Sequence, residues 1–197
     1  SVHRIDKKFG NTSWHPSGRL AAFSINDIPM FDHASRNEAR DTIDLDSLLA
    51  FYKADTRSIV TVPQLAQKDR LENWPAWSAD GRYLYYCSAP KLWTDDAEYP
   101  PLQWDQVRYD LMRIAYDPDA DRWGQPETVL SAKDTGKSAA MLRCSPDGRW
   151  LSFCLCDHGY FPTWQEESDI YLMDLQASAA TGACYRRAEF NSPRSES

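Results

Sequence analysis

The sequence has no long apolar stretch and no long basic stretch. No run of about 18 consecutive apolar residues occurs in its 197 residues, so the chain does not resemble one that crosses a membrane as a helix. The formal net charge is -7, and Lys and Arg are not clustered, so the long-range field would repel nucleic acid. We therefore expect no transmembrane segment and no nucleic-acid partner.

The cysteines do not follow a disulfide or zinc pattern. Their number is 5, which is odd, and no paired CxxC motifs occur. Cys87, Cys144 and Cys154 fall in predicted strands, where a buried thiol behaves as a small hydrophobe. On a regular strand Cys154, Cys156 and His158 would face one side and could hold a soft metal. Because no fourth ligand is visible, we expect no metal and no cofactor.

Catalytic motifs are also missing. The sequence contains no G-x-S-x-G, no H-E-x-x-H and no Gly-rich phosphate loop, so nucleophilic catalysis and zinc hydrolysis have no support. Asp117, Asp119 and Asp121 alternate like the start of a calcium loop, but Gly124 comes too late and Thr128 stands where Glu is required. We interpret this stretch as a turn between strands. From the missing catalytic motifs we expect that the chain is not an enzyme.

What the sequence does contain is one pattern written three times. SWHPSGRLAAFS begins at Ser13, AWSADGRYLYYCS at Ala76 and RCSPDGRWLSFC at Arg143. Each copy has a polar turn ending in Gly-Arg, followed by an apolar strand, which predicts an antiparallel hairpin. The strands are apolar on both faces, as expected for sheets that are covered on both sides.

A second shared segment follows each hairpin and reads as strand, polar turn, strand. It begins at Asp46, Asp110 and Asp169, so each unit has four strands and one enlarged loop between the second and the third. Repeated four-stranded units that cannot bury their own faces are typical of an all-β propeller. We predict a single domain over 1–197, with blades at about 11–70, 73–134 and 138–197.

The motif W-S-x-D-G-R-x-L, followed by D-I-Y-x-M-D-L, resembles the PD40 (WD40-like) repeats of TolB-like β-propellers. The resemblance covers nearly the whole chain and departs at Ser17, where Asp is usual, and at Arg143, where an aromatic is usual. A propeller closes with at least about four blades, so three blades predict a fragment of a larger propeller. The alternatives are ring closure by self-association through open blade faces and an open arc.

The resemblance implies a non-catalytic binding module of the bacterial cell envelope, periplasmic or otherwise extracytoplasmic, that captures a protein or peptide. Ser1 opens the chain without an apolar leader, so a signal peptide is expected outside these residues. Similar repeats occur in prolyl-oligopeptidase-like peptidases and in oligogalacturonate lyases, so an enzyme's propeller domain is the alternative. Carbohydrate recognition is a third possibility.

The enlarged loops are the expected binding site. Loops that join the second and third strands of successive blades lie on one rim, so the three insertions are predicted to form one surface. Aromatic side chains beside carboxylates give such a surface contact area at little entropy cost, although they equally suit a small core under long loops. The candidate partner-binding residues are Phe31, Trp93, Tyr99, Trp104, Tyr160, Phe161 and Trp164.

Overall fold

The computed structural model describes residues 9–27, 30–32, 40–159, 168–177 and 185–188, with the backbone alone at 9, 30–32, 40 and 41. In chain order the strands are β1 (Phe9–Trp14), β2 (Leu20–Asp27), β3 (Met30–Asp32), β4 (Arg40–Thr42), β5 (Asp46–Lys53), β6 (Ser58–Thr61), β7 (Arg70–Trp77), β8 (Tyr83–Pro90), β9 (Asp110–Asp117), β10 (Arg122–Leu130), β11 (Ser138–Cys144), β12 (Trp150–Cys156), β13 (Ser168–Asp174) and β14 (Tyr185–Arg187). The connections in the described residues include the 3₁₀ turns Pro63–Leu65 and Trp104–Gln106 and the short helix α1 (Ala132–Thr135).

The strands form three four-stranded antiparallel sheets. Their orders are β1-β2-β5-β6, β7-β8-β9-β10 and β11-β12-β13-β14, and β3 and β4 pair separately. Each sheet is a meander whose second and third strands are separated by the predicted insertion, and the β3–β4 hairpin belongs to the first insertion. The predicted fold class is confirmed: the chain is all-β, with three sheets built as three propeller blades. The boundaries of the domain stay a prediction.

The repeated turns have the geometry that the sequence predicts. Gly18, Gly81 and Gly148 adopt φ angles of 69°, 71° and 73°, a left-handed conformation that glycine tolerates best. In each turn the glycine N–H donates to the carbonyl oxygen three residues earlier. Ser17 replaces Asp in the first turn without altering it, because its hydroxyl accepts the Arg19 N–H at 3.3 Å.

The first strand of each sheet contains a bulge that the sequence does not announce. The pairing register shifts between Gly10 and Ser13 in β1, and at the same place in β7 and β11. The residues that follow the shift, Asn11, Trp74 and Met141, have φ angles of 46°, 50° and 56°. A bulge increases the local twist of its strand. The three sheets therefore share a backbone irregularity as well as a strand order.

Packing between the sheets buries both faces of the middle sheet. Phe51, Leu84 and Ile114 lie in the core between the first and second sheets, and Leu111 and Phe153 lie in the core between the second and third. Strands β1 and β7 contact each other, as do β7 and β11, so the first strands of successive sheets are neighbours. Among the described residues, none of the helices has the length and hydropathy to span a bilayer.

Candidate functional site

In the described residues, the second insertion contacts the end of the first and the beginning of the third. The Trp93 indole N–H of the second insertion donates to the Leu45 carbonyl oxygen of the first at 2.9 Å. At the other end of the second insertion, the Val107 carbonyl oxygen accepts the Gly159 N–H of the third at 3.1 Å. His158 also lies beside the second insertion, with Nδ1 3.4 Å from a guanidinium nitrogen of Arg108. These contacts join described parts of neighbouring insertions, and the single binding surface that the sequence predicts stays a prediction.

The second insertion surrounds a cleft of about 720 Å³ that residues 91–94 and 97–103 line. Leu102 is 90% exposed there, Tyr99 44% and Leu92 38%. The other exposed large apolar side chains of the described residues, such as Trp14 and Met141, lie singly on strands, whereas these three lie around one cleft of a single insertion. The volume of the cleft is in the range of ligand-binding sites.

The described site candidates take different positions in this insertion. Trp93 and Tyr99 line the cleft, whereas Trp104 begins the 3₁₀ turn just after it. The ring of Trp93 is half-buried and fixed by its bond to the first insertion, and it packs against the core between the second and third sheets. Of the three candidates with described side chains, Tyr99 is the most exposed. The backbone of Phe31 lies in β3, paired with Asp41; Tyr160, Phe161 and Trp164 lie outside the described residues.

Charge around the cleft is mainly negative. The Lys91 ammonium contacts the carboxylates of Asp46 at 3.4 Å and Asp95 at 2.5 Å. The hydrogen bond from Lys91 lowers the pKa of Asp95, and the hydrogen bond from the Thr94 hydroxyl lowers the pKa of Asp96. Both carboxylates are therefore ionised at neutral pH.

A buried polar cluster lies at the junction of the first and second sheets. Asp44, which is 3% exposed, accepts hydrogen bonds on Oδ2 from the side-chain amides of Asn26 and Asn73, each at 3.2 Å. The Tyr109 hydroxyl is 3.4 Å from the same oxygen. Burial raises the pKa of Asp44 to about 7, against the smaller opposite effect of its hydrogen bonds. Because all four side chains are buried, we interpret the cluster as a joint between sheets.

A second buried carboxyl lies nearby in β7. Burial raises the pKa of Glu72 to about 8, and a backbone hydrogen bond from Leu49 and the charge of Arg70 lower it by less. The Glu72 backbone N–H donates to the Ser47 hydroxyl at 2.9 Å, which ties β7 to β5. Two carboxyls with raised pKa values therefore lie in the contact between the same two sheets.

The two metal alternatives are not formed. Strand β12 ends at Cys156, so His158 lies beyond it. The Asp117 carboxylate accepts the N–H groups of Asp119 and Ala120 within its own turn. In the part of the chain that the structure describes, no three His, Cys, Asp or Glu side chains converge as ligands of an ion.

The fold is that of three consecutive blades of a β-propeller, and this class rests on the strand order and the repeated turns. The chain is similar to an ACO/RPE65 chimera, with TM-score 0.48 and 12% identity over 91% of this chain and 37% of that one. It is similar to a TolB-like protein from Agrobacterium tumefaciens, with TM-score 0.44 and 15% identity over 94% and 63%. Against dipeptidyl peptidase 4 of Porphyromonas gingivalis the TM-score is 0.40, with 9% identity over 86% and 31%.

The chain therefore spans less than two thirds of each of these structures. No family model matches the sequence. No curated protein matches it. Likenesses this low carry no information about function.

Sequence reasoning finds the loop that carries the cleft but not its most exposed side chain. Leu102 follows two prolines in YPPLQW, and an exposed leucine has no signature that separates it from a buried one. The Asp44 cluster was missed for a different reason. Its members come from four separate stretches of the chain, so their meeting depends on how the sheets pack.

Proposed function

We propose that this chain is part of a non-catalytic propeller that binds a protein or peptide at the rim of its enlarged loops. The observation that carries the proposal is the group of exposed apolar side chains, Leu92, Tyr99 and Leu102, around one cleft. Large apolar and aromatic side chains in a concave site are the usual anchors of a protein interface. Exposed apolar side chains lower the solubility of the free protein, and a partner that covers them removes this effect.

The cleft combines one side chain that is held in place with two that are exposed at its edge. Trp93 packs against a core and its indole N–H is bound to the first insertion, so its ring is held in place before a partner arrives. Tyr99 and Leu102 are exposed at the edge of the cleft, where a partner can contact them without displacing core residues. A preformed site of this kind loses little conformational freedom on binding. We place the protein in the bacterial cell envelope, outside the cytoplasm, on the PD40 resemblance.

The proposal is tested by selecting peptides of about 12 residues from a random phage-displayed library on the immobilised chain. The affinity of a selected peptide is then measured by fluorescence anisotropy for wild type, Leu102→Ala and Tyr99→Ala. We expect each substitution to weaken binding by about tenfold or more, as anchor residues do. Because Leu102 is 90% exposed, the melting temperature of Leu102→Ala should stay unchanged, and binding is compared between variants that are folded at the assay temperature.

Ile59→Ala is the matched control, because Ile59 is an exposed apolar side chain on β6 of another sheet. It should bind the peptide like wild type. Failure to select any peptide, or selected peptides that bind all four proteins equally, would contradict the proposal. Binding to a glycan panel in place of peptides, lost in Tyr99→Ala, would favour the carbohydrate alternative.

A further inference from the structure

We infer that the segment bound in the rim cleft is basic and places a lysine or arginine side chain between Tyr99 and the carboxylate of Glu98. This inference rests on the proposed function and names the chemistry of the partner. It follows from the charges that line the cleft and from what an occupant would do to them.

The cation of the cleft is already neutralised. Lys91, the lysine in the lining, has a nearly buried side chain that contacts the carboxylates of Asp46 and Asp95. Its charge is covered by two anions, so it offers little to an acidic partner. No other lysine or arginine lies among residues 91–103.

Two carboxylates at the edge of the cleft are exposed. Glu98 lines the cleft and is exposed, and Asp96 beside it is exposed as well. Among the described side chains, neither carboxylate forms an ion pair with a lysine or arginine; the contact of Asp96 is the Thr94 hydroxyl, at 2.6 Å. Asp27 acts on the same ring, since its charge adds to burial in raising the pKa of Tyr99. Tyr99 therefore lies in a negative field.

An apolar segment alone would fit this surface poorly. Covering Leu102 and Tyr99 removes water from Glu98, and a carboxylate that loses water without gaining a partner is strongly destabilising. A lysine or arginine resolves the conflict, because its aliphatic stem packs on apolar surface while its charged end reaches a carboxylate. Tyr99 is 44% exposed, so a charged end that reaches its ring would add a cation–π contact.

The whole chain supports the same sign of partner. Its formal net charge is -7, and a negative protein accelerates encounter with a basic segment and slows encounter with an acidic one. An acidic peptide would meet repulsion both at long range and at Glu98. The expected occupant is thus a basic segment of another protein with apolar residues beside its lysine or arginine.

The test uses the peptide selection described above. We expect the selected peptides to be enriched in lysine or arginine beside apolar residues, and the affinity to fall at least about fivefold between low salt and about 0.5 M salt. Replacing the basic residue of a selected peptide with glutamine should weaken its binding by about tenfold. Glu98→Gln should weaken binding of the original peptide by about fivefold and leave the glutamine peptide unaffected.

Glu127→Gln is the matched control, because Glu127 lies on β10 and is paired with Arg113 at 2.8 Å. It should leave binding unchanged. Selected peptides that are neutral or acidic, or an affinity that Glu98→Gln leaves unchanged, would overturn the inference while loss of binding in Leu102→Ala still upholds the proposed function. Absence of any selected peptide would overturn both.

Discussion

His15 takes the turn position that Ser78 and Ser145 fill in the other two repeats. From the sequence it is only an exception to a pattern. In the structure it is buried, its Nε2 lies 3.0 Å from the Gly81 carbonyl oxygen, and its ring meets the edge of Trp77 at 4.7 Å between centroids. One histidine therefore joins the turn of the first sheet to the turn of the second.

Because of this contact, Gly18 and Gly81 should differ in how well they tolerate replacement by alanine. Alanine at either Gly18 or Gly81 would take a left-handed φ at a cost of about 1 kcal/mol, but a Cβ at Gly81 would also lie 2.2 Å from the His15 ring, whereas nothing lies within 4 Å at Gly18. We expect Gly18→Ala to lower the free energy of unfolding by about 1 kcal/mol and Gly81→Ala by about 3 kcal/mol. Urea denaturation measures both.

The double variant His15→Ser, Gly81→Ala isolates the contact. Its loss relative to His15→Ser alone should fall to the value of Gly18→Ala, because the serine leaves room for the new methyl group. If Gly18→Ala and Gly81→Ala lower the free energy of unfolding equally, the His15 ring moves aside at no cost.

At the scale of the element, the bulge in each first strand is a shared strained feature. Trp74 and Met141 hold positive φ angles, which are rare for large side chains. For Trp74, packing offsets the cost of the positive φ angle, because its ring is buried against Tyr109 at 5.3 Å between centroids. Met141 is 55% exposed, so little side-chain packing offsets its backbone conformation.

We predict that Met141→Gly stabilises the protein slightly. Glycine removes a left-handed cost of about 1–2 kcal/mol and adds an entropic cost of about 0.5–1 kcal/mol, so the free energy of unfolding should rise by about 0.5 kcal/mol. Arg143→Gly, at an exposed position of the same strand without positive φ, should lower it by about 0.5–1 kcal/mol. Thermal melts compare the two variants, and destabilisation of both by the same amount would show that the bulge carries no strain.

At the scale of the whole molecule, the contact between the first and second sheets links stability to pH. The pKa of Asp44 is raised from 3.8 to about 7 and that of Glu72 from 4.5 to about 8. The folded state thus retains protons that the unfolded chain releases. The stability that these carboxyls contribute is complete below about pH 4 and is lost as the pH rises through about 7 and about 8.

We therefore expect the free energy of unfolding to decrease between about pH 4 and about pH 8, by an amount on the order of 4 kcal/mol for each carboxyl, from about 1.4 kcal/mol per pKa unit. Asp44→Asn should remove the part of the decrease that ends near pH 7, and Glu72→Gln the part that ends near pH 8. Carboxylates with lowered pKa values, such as Asp80 and Asp147, act below about pH 4 and fall outside this interval.

Urea denaturation at a series of pH values measures this dependence. Asp55→Asn is the control, because Asp55 is exposed and paired with Arg19 at 2.6 Å; its slope should equal that of wild type. A wild-type stability that is flat or rises with pH over the same interval would contradict the prediction.

The strand order, the three turns and the place of the insertions can all be predicted from the amino-acid sequence. These features depend on neighbours in the chain: a glycine such as Gly148 accepts a left-handed φ, and apolar residues on both faces of β8 or β12 require cover on both sides. A repeat shows them three times, which is why single exceptions such as Ser17 do not obscure the pattern.

The side chains that meet at the cleft and between the sheets could not be predicted from the sequence, because they depend on tertiary packing. Asp44 meets Asn26, Asn73 and Tyr109 because two sheets pack together, and the exposure of Leu102 depends on how the second insertion folds over the rim. Periodicity and turn chemistry report interactions within a few residues, whereas burial, pKa and hydrogen bonding between distant segments depend on the packing of the whole molecule.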